Sequence, residues 1–286
     1  MSKVTARTNI ANYYFGTKLL DSYSSAAFAY SFRKLRNAYA GSAVRIRRSS
    51  DNAEQNVGFD AIGNFDTGAA TTFIGGGSGF IVTWFDQSLN GLDVTQATAG
   101  NQPAYLATAT NSKPGVDFDG LSDQLLRSSV TMANYITTNG NIIVACHYED
   151  LVQINAFFDW NGDASTTNRL IGAWLRNVGN QMLFDLGSDS AGRLVNVLTF
   201  ADNTDHIVEF WRNASDLQNI TADGGPNINA TKTDDITSAA GNWSIGASSN
   251  GTSNWFEGAI SEVIGWGPYV GDANRAAIYT DVSTYW

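Results

Sequence analysis

Residues 206–212 read His206-Ile207-Val208-Glu209-Phe210-Trp211-Arg212, and the run alternates, with Ile207, Glu209 and Trp211 set against Val208, Phe210 and Arg212. A period of two puts successive side chains on opposite faces of an extended chain, so this stretch reads as a strand. Runs of the same kind recur on both sides of it: Ala43–Arg48, Phe80–Phe85, Gly115–Phe118, Asn141–Tyr148, Asn155–Trp160, Leu170–Leu175, Met182–Leu186, Val195–Phe200, Trp243–Gly246 and Ala259–Trp266. Val, Ile, Phe and Trp dominate them, and Gly, Asn or Asp punctuate the gaps.

Two segments break the pattern. Phe28, Phe32, Leu35 and Tyr39 recur at spacings of three and four, which predicts a helix over Ser25–Tyr39 with Gly41 ending it. A second helix is expected from Asp272 to Tyr285, with Asp272 as N-cap and Ala276, Ile278, Tyr279 and Val282 buried. The sum is an all-β sandwich of two antiparallel sheets with a helix near each end. No repeat of 20–50 residues is visible, which disfavours a solenoid or propeller. Residues 1–22 have no clear period and carry Tyr13-Tyr14-Phe15; they read as an N-terminal arm or anchor, and residues 23–286 as the sandwich domain.

The chain is 43% hydrophobic and 15% charged, as a packed core requires. Its 17 basic against 27 acidic residues argue against nucleic acid as a partner, because phosphate binding needs clustered Lys and Arg. No segment approaches the roughly 20 apolar residues of a membrane span, so no membrane insertion is expected. No signal-peptide core follows Met1, and synthesis in a cytoplasm is expected. Cys146, the single cysteine, lies in an apolar run and reads as a buried, inert thiol.

Local motifs narrow the chemistry. Arg33, Lys34, Arg36, Arg45, Arg47 and Arg48 concentrate basic charge, as an anion site or as partners of Asp51 and Glu54, the second reading being the stronger. Asp159–Asp163 begins like a calcium loop, but Ala164 and Leu170 stand where ligands belong. Asp117, Asp119 and Asp123 are acidic enough to consider for a cation and read better as a strand ending in a turn. His147 and His206 lack a neighbouring ligand, and no metal or cofactor is expected. Gly75–Gly79 opens no phosphate-binding helix, and no Gly-x-Ser-x-Gly elbow occurs. Trp84, Trp211 and Trp266 sit in apolar runs and read as core. Trp160, Trp174, Trp243 and Trp255 have polar neighbours, an environment that suits stacking on sugar rings as well as core filling.

Several blocks resemble one family. They are Ala29–Arg36, Arg47–Glu54, Trp84-Phe85-Asp86-Gln87-Ser88 with Asn90-Gly91, Thr95-Gln96-Ala97 and Phe256-Glu257-Gly258. Together they resemble the catalytic domain of fungal B-type α-L-arabinofuranosidases, whose modules also occur in bacteriophage structural proteins. The resemblance implies a concanavalin-like jelly roll and an ancestry in sugar handling. Those enzymes carry adjacent cysteines before a Phe-Asp-Tyr-Gly-Asn segment; here Ala156-Phe157 precede Phe158-Asp159-Trp160-Asn161-Gly162. Their nucleophilic Glu lies on the next strand, where Leu170–Trp174 holds no carboxylate, and their acid Asp lies where this chain reads Gly246–Asn250. Hydrolysis with retention needs two carboxyl groups.

The expectation drawn from this is a non-catalytic virion surface protein of a phage, a head decoration or tail-fibre component. Its arm would hold other virion proteins, and it would bind host glycans through loops near Asp159, Trp160, Trp174, Asn250 and Trp255. A homo-oligomer is compatible with this. The alternatives are a free carbohydrate-binding module and, third, an active hydrolase in which Glu257 or Asp163 is recruited.

Overall fold

The computed structural model describes residues 16–136, 138–149, 155–161, 169–176, 181–187, 192–197, 203–234, 240–248 and 254–286. Its strands are β1 (Ala26–Ser31), β2 (Val44–Arg48), β3 (Glu54–Val57), β4 (Gly79–Trp84), β5 (Val94–Thr95), β6 (Ala104–Leu106), β7 (Gly115–Asp119), β8 (Leu125–Val130) and β9 (Gly140–Tyr148). They continue with β10 (Asn155–Asn161), β11 (Arg169–Arg176), β12 (Gln181–Leu186), β13 (Arg193–Val197), β14 (Thr204–Arg212), β15 (Leu217–Ala222), β16 (Ile228–Thr231), β17 (Gly241–Ile245) and β18 (Glu257–Trp266). Three helices accompany them: α1 (Leu19–Ser22), α2 (Thr67–Ile74) and α3 (Asp272–Tyr285).

All pairings between these strands are antiparallel. One layer runs β16–β15–β14–β9–β18, and the far edge of β18 is shared by β7 and β1. The other runs β13–β12–β11–β10–β17–β8–β5–β4–β2–β3. Strand β6 joins the two by pairing with β4 and β7. The core lies between the layers. Phe210 of β14 meets Phe158 of β10 and Phe184 of β12 with ring centroids 5.6 and 5.4 Å apart. The expected all-β sandwich is what the chain forms.

The helix expected over Ser25–Tyr39 is instead β1 and the loop after it, a correction with a clear cause. All six residues of β1 are buried. Phe28, Tyr30 and Phe32 recur at period two and lie against Trp243 (4.6 Å), Trp84 (5.8 Å) and Trp84 (5.6 Å). A strand buried on both faces shows little polar alternation, so the coincident 28–32–35–39 spacing mimicked a helical stripe.

The motif Trp84–Ser88 fastens this strand. Asp86 accepts hydrogen bonds from the Ala29, Ser88 and Leu92 amides, and burial raises its carboxyl. Gln87 Nε2 donates to the Ser31 and Arg33 carbonyls while its Oε1 accepts from the Leu35 amide. These residues are scaffold.

Helix α3 occupies the range expected of it, but its N-cap is Gly271, and Ile278 and Val282 are the residues it buries. No described helix is long and apolar enough to cross a membrane. Of the expected arm, residues 1–15 lie outside the described residues, while Leu19 and Leu20 of α1 are buried and the Leu20 amide donates to the Leu35 carbonyl.

Gly246 ends β17 at φ +83°, and a Cβ there would lie 2.1 Å from Phe118 Cε1. Backbone strain and the clash both oppose a side chain. Gly246→Ala is expected to lower stability by about 1–3 kcal/mol, read as a shift in the urea midpoint.

Candidate functional site

The outer face of the second layer carries one row of residues in register across five strands. Ser244 of β17 pairs with Asp159 of β10, Asp159 with Gly172 of β11, Gly172 with Asp185 of β12, and Asp185 with Arg193 of β13. Strand alternation explains the row. Phe158, Trp160, Ile171, Ala173, Phe184, Leu186, Trp243 and Ile245 all turn into the core, so the residues between them turn outward.

This face is nevertheless closed to solvent. Asp159 is 1% exposed, and Asp185 and Ser244 are 0% exposed. Beside the row lies a small apolar cluster of Ala156, Trp174 and Leu183. Trp174 lies over Gly172, since a Cβ on that glycine would come within 1.9 Å of the indole. Arg193 grips Asp185 with both arms of its fork, Nε to Oδ1 at 2.8 Å and Nη2 to Oδ2 at 2.6 Å. Such a pair is charge-assisted and fixes the carboxylate plane. Ser244 Oγ lies within bonding distance of the Asp159 and Ala247 carbonyls, at 3.3 and 2.7 Å.

Two buried carboxylates thus stand on either side of a glycine that the Trp174 indole covers. Sequence reasoning named Asp159 as a sugar-binding residue and did not single out Asp185. The signal was present in Gln181–Leu186, where Met182, Phe184 and Leu186 alternate with Leu183 and Asp185.

The other expected sugar-binding residues are distributed differently. Trp160 is fully buried in the core and donates its Nε1–H to the Val130 carbonyl, so it stands in a strand rather than an exposed loop. Trp174 is also buried, but on the outer face. Trp255 is half-buried beside β18, and Asn250 and Asp163 lie outside the described residues. Glu257 is half-buried, and its amide donates to Asn155 Oδ1.

Within the basic cluster, Arg33 pairs with Glu262 and Asp281, Arg48 with Asp51, and Arg45 with Glu54 at 3.8 Å, while Arg47 donates to the neutral Gln102 and Asn52 side chains. Among the described residues, no group of three or more His, Cys, Asp or Glu is placed to hold a metal ion. Asp119 instead caps a turn. Burial raises its carboxyl, but bonds from the Ser122, Leu121 and Asp123 amides outweigh burial and hold it low.

Its neighbours move the other way. Burial, then Asp119, pushes Asp123 up to about 7; burial, then Glu149 and Asp119, pushes Asp117 up to about 6. An acid whose folded-state pKa is raised stabilises the fold fully below its unfolded value and loses that contribution as pH rises through the folded value. Stability should therefore fall between about pH 4 and about pH 7 from these groups. Asp123→Asn should flatten that slope in denaturation midpoints measured across the window.

Comparisons with known proteins can now be set beside this geometry. The family model described as α-L-arabinofuranosidase B, catalytic, matches residues 21–116. No curated protein sequence matches the chain. Among solved structures, a mutant GH54 α-L-arabinofuranosidase soaked with 4-nitrophenyl α-L-arabinofuranoside aligns with TM-score 0.71 at 16% identity, covering 92% of this chain and 64% of that one. A GH54 enzyme soaked with a cyclic sulfate inhibitor gives 0.69 at 16% identity with the same coverages. An arabinofuranosidase complexed with arabinofuranosyl-α-1,2-xylobiose gives 0.65 at 17%, again covering 92% and 64%. The chain thus spans 64% of the length of these proteins.

These findings correct two expectations. Nothing in them points to a virion; they point to an arabinofuranosidase-like glycoside hydrolase fold. The expectation of a non-catalytic chain fails with it. That expectation compared β10, β11 and the Gly246 segment one position at a time; Asp185 stands on the same face one strand farther on. In its matched N-terminal segment and in its fold, the chain resembles the catalytic domain of B-type α-L-arabinofuranosidases.

Proposed function

We propose that this chain is a glycoside hydrolase of the arabinofuranosidase type, acting on terminal α-L-arabinofuranosyl groups. The observation that carries the reading is the row Asp159–Gly172–Asp185, two buried carboxylates in register on one face with the Trp174 indole over the glycine between them. The match of residues 21–116 to the arabinofuranosidase B catalytic model supports the substrate class. Asp159 serves as the acid that protonates the leaving oxygen. Asp185, oriented by Arg193, is the carboxylate that attacks or activates water. Trp174 supplies an apolar wall for the sugar ring.

The test is release of 4-nitrophenolate from 4-nitrophenyl α-L-arabinofuranoside. Turnover by the wild-type chain that is lost in both Asp159→Asn and Asp185→Asn supports the assignment. A wild-type rate equal to the uncatalysed background would end it.

A further inference from the structure

A cavity of about 330 Å³ lies between helix α3 and the sheet layer beside it. Val208 and Phe210 of β14 turn into the core, so Glu209 between them turns outward, toward α3. Arg275, Tyr279 and Thr280 of α3 line one wall; Thr221 of β15, with Gly224 and Asn227 after it, lines the other. Asp159 faces out from the opposite layer, so the core separates this cavity from the candidate site.

The floor is a charged pair kept from water. The Glu209 side chain is 4% exposed, and its Oε2 accepts from Arg275 Nη1 at 2.7 Å. Burial pushes this carboxyl up to about 7, although Arg275 opposes the rise. The bond to Arg275 occupies one carboxylate oxygen and leaves Oε1 for another donor. Arg275 Nε is buried and has no hydrogen-bond partner, although a buried donor ordinarily finds one. Tyr279 Oη makes no hydrogen bond among the described residues. The Thr221 and Thr280 hydroxyls are spent on the Gly225 and Ala276 carbonyls, both at 2.9 Å.

The cavity therefore keeps one acceptor, one N–H donor and one hydroxyl uncommitted. A charged ligand would meet a like charge in either Glu209 or Arg275, whereas neighbouring hydroxyls on one molecule can donate to Glu209 Oε1 and accept from Arg275 Nε. The Tyr279 ring offers an apolar surface to the C–H groups between such hydroxyls. Gly224, at φ +66°, brings its turn close to that ring without a side chain: a Cβ there would lie 3.2 Å from Tyr279 Oη. The volume lies at the small end of the range for ligand sites.

We propose that this cavity binds a small neutral polyol, of the size of a pentitol or a free pentose, between Glu209, Arg275 and Tyr279. The site stands apart from the Asp159 row and does not rest on the hydrolase reading. Its ligand touches α3 and the turn after β15 at once, so occupancy holds the helix on the sheet.

The experiment titrates wild type, Tyr279→Phe and Thr280→Trp with xylitol and with D-xylose, read by the amide resonances of the two walls. Thr280 is exposed, so an indole there fills the cavity without entering the core. Tyr279→Phe keeps the ring and removes only the hydroxyl. The expected result is saturable shifts at residues 221–227 and 275–280 with a Kd of about 1–10 mM, as suits a ligand of about ten non-hydrogen atoms. That Kd should rise about tenfold or more in Thr280→Trp and about 2–10-fold in Tyr279→Phe. No saturable shift at these walls up to about 100 mM of either polyol, or shifts that both variants leave intact, overturns the site. Sodium acetate and methylammonium chloride are the charged probes. Saturation of the walls by either salt, with both polyols silent, overturns the neutral-polyol assignment.

Discussion

Arg33→Leu is expected to cost about 3–5 kcal/mol of folding stability, the largest effect of any single change in a charged residue considered for this chain. Arg33 Nε and Nη2 donate to the Glu262 carboxylate at 2.8 and 2.9 Å, and Ser31 Oγ donates to it at 2.6 Å. Arg33 Nη1 reaches Asp281 of α3 at 2.6 Å, and the guanidinium lies 4.7 Å from the centroid of the Tyr285 ring. One side chain therefore ties the end of β1 to β18 and to the C-terminal helix. Glu262 is 0% exposed, so leucine would leave a buried carboxylate with only a hydroxyl for company.

Urea denaturation measures the loss. Arg33→Lys should fall between wild type and leucine, since an ammonium keeps the charge but cannot form the two-armed contact. The double change Arg33→Leu with Glu262→Leu should recover part of the loss, because removing both charges removes the uncompensated one. A single-variant loss under about 1 kcal/mol would mean that the pair behaves like a solvent-screened surface bridge.

The second large effect concerns turnover. Asp159→Asn and Asp185→Asn keep shape and remove proton transfer, and each is expected to lower kcat on 4-nitrophenyl α-L-arabinofuranoside by about 10²–10⁴-fold. Two strand spacings separate the backbones of these residues by about 10 Å. Carboxyl groups that rise parallel from those backbones keep about that separation, nearer the 6.5–9.5 Å or so that leaves room for a water molecule than the 5–5.5 Å or so of a direct nucleophile. The first product should therefore emerge with inverted anomeric configuration, as proton NMR of the early reaction can read. Retention would instead make Asp185 the nucleophile.

The sandwich was legible wherever strands alternate or run apolar between turn residues, as in β9, β14 and β18. Strand β1 was not, because burial on both faces erased the polar half of its pattern. The tryptophans illustrate a second limit. Trp160 and Trp243 have polar sequence neighbours in Asp159 and Ser244, which suggested exposure. In a strand, however, adjacent residues point to opposite faces, so those neighbours describe the other side of the sheet. The same rule hid half of the candidate site. Asp185 lies 26 positions beyond Asp159 and joins it only through the pairing of β10, β11 and β12, which no local spacing encodes. The motif blocks that carried the resemblance were legible because they are scaffold. Asp86 and Gln87 hold loops by short-range geometry that leaves its mark on neighbouring residues.

Strand β18 completes both ends of the molecule at once, pairing with β9 along one edge and with β7 and β1 along the other. Ser31 and its partner Glu262 are 231 residues apart in sequence. During synthesis at about 5–20 residues per second, β1 emerges roughly 10–50 s before the strand that receives it. For that interval Phe28 and Tyr30 belong to an apolar segment with an open edge, the kind of surface that recruits other nascent chains or a chaperone. A ribosome that stops short of residue 257 would release a chain unable to bury its first strand, and such products should be recovered as aggregates rather than as shortened folded domains.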